Sequence, residues 1–228
     1  MIEAVIFDKD GTLFDFRNSW RGWVESLLDQ LGQDRNGLAR VLGYDLARRE
    51  FLPTSPVVAM TTPEIADSLH PHLTGISLIS LNKMMTQVST RAPMMPAVDL
   101  PLVLGGLRAM GLTLGLATND TEEPARQHLA DAGVIDLFAF VAGCDSGWGG
   151  KPEPGQLLAF AAQLGLVPDR VAMVGDSRHD LQAARAAGMR AVAVLTGVAL
   201  RADLAPHADV VLADIAGLAG WITAQNRG

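Results

Sequence analysis

This chain has one cysteine, one tyrosine and only 5% aromatic residues, and it lacks both a lysine- or arginine-rich run and an apolar stretch of bilayer length. Each shortage excludes something. The lone Cys144 cannot form an intrachain disulfide, so packing has to hold the fold. A formal net charge of −7 with no basic cluster removes the electrostatic footprint that nucleic-acid or anionic-membrane binding requires. Ala191 to Leu200 is too short to span a bilayer, and the longer region from Leu100 to Ala117 is broken by Arg108 and several glycines. The N-terminus enters an apolar strand pattern at once, with no basic segment before it. These features predict a cytoplasmic protein that works on a small diffusible molecule.

What is present is enough for a substantial core: 228 residues, 49% of them hydrophobic. The run Ala4-Val5-Ile6-Phe7 stops at Asp8 and reads as a buried strand ending in a polar loop. Comparable runs recur at Leu112 to Ala117, Phe138 to Ala142, Val171 to Val174, Ala191 to Leu195 and Val210 to Leu212. Helical patterns lie between them, one running from Pro124 to before Gly133, one from Pro154 to Leu164 and one from Leu181 to Ala187. Strand and helix in alternation predict an α/β fold, a doubly wound Rossmann-like parallel sheet.

Residues 16–94 break this rhythm. Trp20, Trp23, Val24, Leu27, Leu28 and Leu31 fall at helical steps, as do Leu38, Val41, Leu42 and Leu46. Thr62-Pro63-Glu64 has the residue types of a helix start, and Ile76 to Val88 supplies a further helix. The pattern predicts a core domain made of residues 1–15 and 95–228, with an inserted all-helical cap domain at 16–94. An insertion after the first strand sits over the carboxyl edge of the sheet, where ligands bind in such folds.

The chemistry-bearing residues lie at that edge. Asp8-Lys9-Asp10-Gly11-Thr12 puts carboxylates two residues apart at a strand end, and Val174-Gly175-Asp176 ends another buried strand with Asp180 following. If the strands are neighbours, the carboxylates converge, and like charges at close range call for a cation. An oxygen-only set without a histidine or cysteine cluster suits Mg²⁺ better than zinc.

These motifs resemble those of the haloacid dehalogenase superfamily, in particular its phosphoglycolate-phosphatase-like members. The resemblance implies that Asp8 attacks phosphorus, and that Asp10 is general acid toward the leaving group and then base toward water. It implies that Thr118, with Asn119 in Ala117-Thr118-Asn119-Asp120, binds a phosphoryl oxygen. Lys151, in Gly150-Lys151-Pro152, would neutralise phosphate and nucleophile. Asp8, the Asp10 carbonyl and Asp176 would hold Mg²⁺, with Asp180 in support. Lys9 departs from the apolar residue many relatives carry, and its side chain is expected to point away from the nucleophile.

The expected activity is Mg²⁺-dependent hydrolysis of a small phosphomonoester, phosphoglycolate first, through an aspartyl-phosphate. Asp10 argues against a carbon-halide dehalogenase, whose chemistry has no phosphate leaving group to protonate. A sugar phosphomutase uses the same core motifs and stays open. A receiver-type signalling module would need only about half this length. Arg17 and Arg21, where motif meets insertion, offer cations for a substrate carboxylate, with Arg17 the choice for a substrate contact. Trp20 and Trp23 are read as core of the insertion, His179 as surface or supporting, His70 and His72 as surface, and Cys144 as buried filler.

Overall fold

The computed structural model describes residues 1–52, 54–58 and 60–227. Strand β1 (Ala4–Phe7) is followed by the insertion, comprising α1 (Phe16–Leu31), α2 (Arg35–Val41), the two-residue strands β2 (Tyr44–Asp45) and β3 (Glu50–Phe51), α3 (Thr62–Leu69) and α4 (Leu78–Thr90). The chain then runs through α5 (Leu100–Ala109), β4 (Thr113–Ala117), α6 (Glu122–Asp131), β5 (Phe138–Ala142), α7 (Gly155–Leu164) and β6 (Val171–Gly175). It closes with α8 (Arg178–Ala187), β7 (Arg190–Val194), α9 (Arg201–Leu204), β8 (Val210–Leu212) and α10 (Leu218–Arg227).

Six strands form one sheet in the order β5-β4-β1-β6-β7-β8, and every pairing in it is parallel. Alternation along β1 shows why the sheet is wound on both sides. Val5 and Phe7 pack with Leu100, Leu104 and Leu107 of α5 on one face, while Ala4 and Ile6 pack with Phe160 of α7 and Leu181 of α8 on the other. A strand buried on both faces reads as a continuous apolar run, which is how these strands appear in the sequence. No helix is long and apolar enough to cross a membrane among the described residues.

The insertion has an apolar cluster of its own, running from Phe16 to Ala92 and including Trp20, Trp23, Leu27, Leu69 and Met85. It is not purely helical as the periodicity predicts. The expected helix through Leu46 ends at Val41, and the chain forms the β2–β3 ribbon, where the Tyr44 and Phe51 rings meet edge to face at 5.0 Å. Gly43 follows the last turn, and a glycine there favours a stop over another turn. The cap of α3 is also one residue earlier than expected. Thr61, not Thr62, accepts the Glu64 N–H in a reciprocal capping box, which releases the Thr62 hydroxyl to donate to Asp120 after β4.

Candidate active site

Strand β1 lies between β4 and β6, with Phe7 in register with Leu116 and Val174. The residues leaving the carboxyl ends of these strands therefore meet: Asp8 from β1, Thr118 from β4 and Asp176 from β6. Backbone permits the approach at two glycines. Gly11 has φ +85°, and a Cβ there would lie 2.5 Å from Asp176 Oδ2. At Gly175 a Cβ would run into the Asp180 side chain.

Asp8, Asp176 and Asp180 each offer a carboxylate oxygen within 4.8 Å of the others, and all three are buried. Lys151 faces them. Its ammonium donates to Asp8 Oδ1 at 2.5 Å and lies 2.6 Å from Asp180 Oδ1. Asp180 also caps α8, accepting from the Ser177 N–H at 3.0 Å and the Ser177 hydroxyl at 2.6 Å through Oδ2. It thus takes part both in the helix cap and in the cluster.

The electrostatics follow from this crowding. Burial pushes the Asp8 carboxyl up to about 7; Lys151 opposes that shift, while Asp180 and Asp10 add to it. Asp176 is raised well above the usual carboxylate range by burial and then by the Asp8 and Asp180 charges. Burial works against the Lys151 ammonium, yet Asp180 and Asp8 outweigh it and raise its pKa. Three carboxylates against one ammonium leave a negative surplus that a dication would offset. The donors are all oxygens, which suits a hard ion such as Mg²⁺.

The Asp10 carboxylate lies outside that cluster. Its Oδ2 is 3.0 Å from the Lys9 ammonium, while its buried Oδ1 has no hydrogen-bond partner and the residue lines the cavity. Lys9 does point away from the nucleophile, toward Asp120 and His128, and it is wholly buried. The sequence reading assigned no role to Asp120 or His128. The Lys9 position, held by a residue that is rarely buried, was the signal that some counter-charge had to exist.

Thr118 is buried, and its hydroxyl oxygen accepts the Asp120 N–H at 3.1 Å, which leaves the hydroxyl proton to donate elsewhere. Asn119 also lines the cavity, but its side-chain amide holds the Lys151 main chain, accepting its N–H at 2.8 Å and donating to its carbonyl at 2.9 Å. Arg17 is exposed on α1 and is not among the residues that line the cavity. Arg17, the expected substrate contact, sits on the solvent side of a helix whose Phe16, Trp20 and Trp23 are buried.

The cavity over this site has a volume of about 50 Å³. The insertion's side of the cavity is mostly apolar, with Trp20, Trp23, Val57, Val58, Ile65 and Met85, beside the hydroxyl residues Thr62 and Ser89. Trp20 and Trp23 are thus both core and cavity wall, and the indole N–H of Trp23 is buried without a hydrogen-bond partner. His179 is half-buried and lines the cavity, closer to the chemistry than a surface residue. His72 is exposed, and His70 is partly buried with Nε2 3.1 Å from the Ile76 carbonyl oxygen.

A doubly wound sheet that gathers an acidic cluster and a lysine at the carboxyl ends of adjacent strands, beneath an inserted helical segment, defines a class of hydrolase. The chain belongs to the haloacid dehalogenase-like hydrolases, whose family model matches residues 2–188. It is 38% identical to the phosphoglycolate phosphatase of Rhodospirillum rubrum over 241 aligned residues, covering 97% of this chain and 91% of that protein. Among solved structures, CbbY from Rhodobacter sphaeroides in complex with phosphate superposes with a TM-score of 0.75 at 19% identity, covering 96% of each chain. L-2-haloacid dehalogenase from Xanthobacter autotrophicus superposes at 0.67 with 19% identity, covering 98% of this chain and 99% of that one. At such identities the superpositions establish the fold, and the same fold carries different reactions.

Proposed function

We propose that this hydrolase is a Mg²⁺-dependent phosphatase acting on a small phosphomonoester, phosphoglycolate foremost, through an aspartyl-phosphate on Asp8. In this reading residues 1–15 and 95–228 form the catalytic core and residues 16–94 the cap. The observation that carries it is the buried cluster of Asp8, Asp176 and Asp180 facing the Lys151 ammonium. The similarity to the Rhodospirillum rubrum phosphoglycolate phosphatase supports the substrate class.

Asp8 attacks phosphorus through a carboxylate oxygen, and the P–O bond to the leaving group breaks. Lys151 keeps the nucleophile ionised and offsets charge on the equatorial oxygens, while the Thr118 hydroxyl donates to one of them. Asp10 delivers a proton from its free oxygen to the departing alkoxide. It then takes a proton from the water that attacks the aspartyl-phosphate, and phosphate leaves. Asp8, the Asp10 carbonyl and Asp176 would hold Mg²⁺, with Asp180 in support. When bound, the ion polarises a phosphoryl oxygen and neutralises its charge.

The cap wall favours hydrolysis over phosphomutation. A bisphosphate intermediate has a second phosphate to hold, and no Lys or Arg of the cap lines the cavity among the described residues. Trp23 lines the cavity and its indole N–H has no hydrogen-bond partner, so it is a donor that a substrate carboxylate oxygen would satisfy. A single cysteine, which cannot form an intrachain disulfide, fits a reducing setting such as the cytoplasm.

A phosphate-release screen over a metabolite panel, with and without Mg²⁺, tests the reading beside Asp8→Asn. The expected result is Mg²⁺-dependent release with a two- or three-carbon phosphomonoester preferred, and its loss in the folded variant. Turnover retained by Asp8→Asn would remove Asp8 from its role.

A further inference from the structure

Lys9 is fully buried, and the mechanism above gives it nothing to do. A buried ammonium is tolerable only when its protons find acceptors. Here there are three: Asp10 Oδ2 at 3.0 Å, Asp120 Oδ2 at 3.0 Å and His128 Nδ1 at 3.1 Å. The His128 tautomer follows from its other contact. Nε2 lies 2.8 Å from the Ser89 carbonyl oxygen, which can only accept, so Nε2 carries the proton and Nδ1 offers Lys9 a lone pair. Lys9 is thus held by hydrogen bonds to Asp120 and His128 and by an ion pair with Asp10, and the chain at Lys9 cannot swing without breaking a charged contact.

The frame around Lys9 spans both parts of the molecule. Lys9, Asp120 and His128 belong to the core. The Ser89 hydroxyl of α4 donates to Asp120 Oδ2 at 2.9 Å, and the Thr62 hydroxyl of α3 donates to Asp120 Oδ1 at 3.2 Å. The Thr62 N–H also donates to the Asn119 carbonyl at 3.3 Å. Cap side chains thus complete the cage that holds the ammonium, and the ammonium holds one oxygen of Asp10, a carboxyl whose other neighbouring donor is the Trp20 indole. A buried ion cluster contributes little net stability, because desolvation offsets attraction; what it does supply is orientation.

We propose that Lys9 is a positioning residue for Asp10, fixed in a frame of Asp120, His128 and the cap residues Ser89 and Thr62, so that the acid–base carboxyl is held for reaction when the cap is docked. This inference rests on the reading of Asp10 as proton donor and acceptor.

The test compares Lys9→Met and Asp10→Asn in the full chain with Mg²⁺, using two substrates of similar size in rapid-quench assays. Phosphoglycolate, or the best alkyl phosphate of the panel, loses an alkoxide that needs a proton. Acetyl phosphate loses acetate, which does not. For Lys9→Met, kcat on the alkyl phosphate should fall about 100-fold with KM changed less than about threefold. On acetyl phosphate the phosphoenzyme should form at close to the wild-type rate and then accumulate, because its hydrolysis still needs Asp10. Asp10→Asn should show the same pattern more strongly. Equal slowing of phosphorylation by both substrates in Lys9→Met, or unchanged turnover, would overturn the inference while leaving the Asp10 reading intact. Wild-type turnover of both substrates by Asp10→Asn would sink that reading itself. If Lys9→Met does not fold, Ser89→Ala decides, since it removes one hydroxyl and strands no charge. It should show the same dependence on leaving group at about threefold to tenfold, and the absence of that dependence overturns the proposal.

Discussion

Asn119 and Lys151 clasp one another across 32 residues of sequence: the Asn119 amide oxygen accepts the Lys151 N–H at 2.8 Å, and its NH₂ donates to the Lys151 carbonyl at 2.9 Å. The clasp ties the loop after β4 to the segment that aims the Lys151 ammonium at Asp8. Asn119→Ala removes both bonds and leaves the charged groups in place. kcat should fall on the order of 10- to 100-fold, since a small misplacement of a catalytic group is costly. Steady-state kinetics check this, and a kcat within twofold of wild type would show that Lys151 is held without the clasp.

Asp176 sits in a cluster whose charges repel, and its raised pKa reflects burial first and then Asp8 and Asp180. In chelator, Asp176→Asn should melt at the same temperature as wild type or a few degrees higher, because a repulsive charge is gone. Wild type should gain stability on adding Mg²⁺, by about 2.7 kcal/mol at a hundredfold excess over Kd. The variant should lose most of that gain. Thermal melts with and without Mg²⁺ measure both effects, and an equal Mg²⁺ gain in the variant would count against Asp176 as a ligand.

The exposure of Arg17 and the buried indole of Trp23 make a paired prediction about substrate contacts. Arg17→Ala should leave KM for phosphoglycolate within twofold. Trp23→Phe, which keeps an aromatic side chain but removes the pyrrole half of the indole with its N–H, should raise it by about threefold to tenfold, as expected for one lost hydrogen bond. Initial-rate kinetics on both variants suffice. The reverse outcome would mean that the cap rearranges around bound substrate to bring Arg17 inward.

His128 is held neutral, its pKa pushed down from 6.5 to about 4 by burial and then by the Lys9 charge. The unfolded chain takes up a proton at higher pH than the folded one. This group's contribution to stability is therefore complete above about pH 6.5 and is lost as pH falls toward 4, a change of roughly 3 kcal/mol. Urea unfolding of wild type and His128→Gln between pH 7.5 and 4, as assay conditions of roughly that span, should give difference curves that are flat at the alkaline end and slope over this window. A pH-independent difference would show that His128 does not titrate between the two states.

The sheet was legible because its inner strands are buried on both faces and so must be short apolar runs, as Ala4–Phe7 is. The edge strands Phe138–Ala142 and Val210–Leu212 are only partly buried but are apolar too, and they coincide with runs seen in the sequence. Asp8, Asp176 and Lys151 were legible as residue types at strand ends and in a recognisable motif order. The β2–β3 ribbon was hidden, since two-residue strands have no period to detect. The frame of Lys9 was hidden for another reason: its partners Asp120 and His128 lie 111 and 119 residues away, and nothing local distinguishes them from surface residues.

From residue order alone came the alternation of strand and helix, the acidic groups waiting at strand ends, and the family likeness that gives them work. Those properties are local, set by apolar periodicity and by which side chain follows which strand. The three-dimensional arrangement decided which way long side chains turn: Lys9 inward to Asp10, Arg17 outward to water, and Asn119 onto the lysine backbone instead of toward a ligand. Such choices depend on the desolvation each group meets and on acceptors brought in from distant segments, and packing alone creates both.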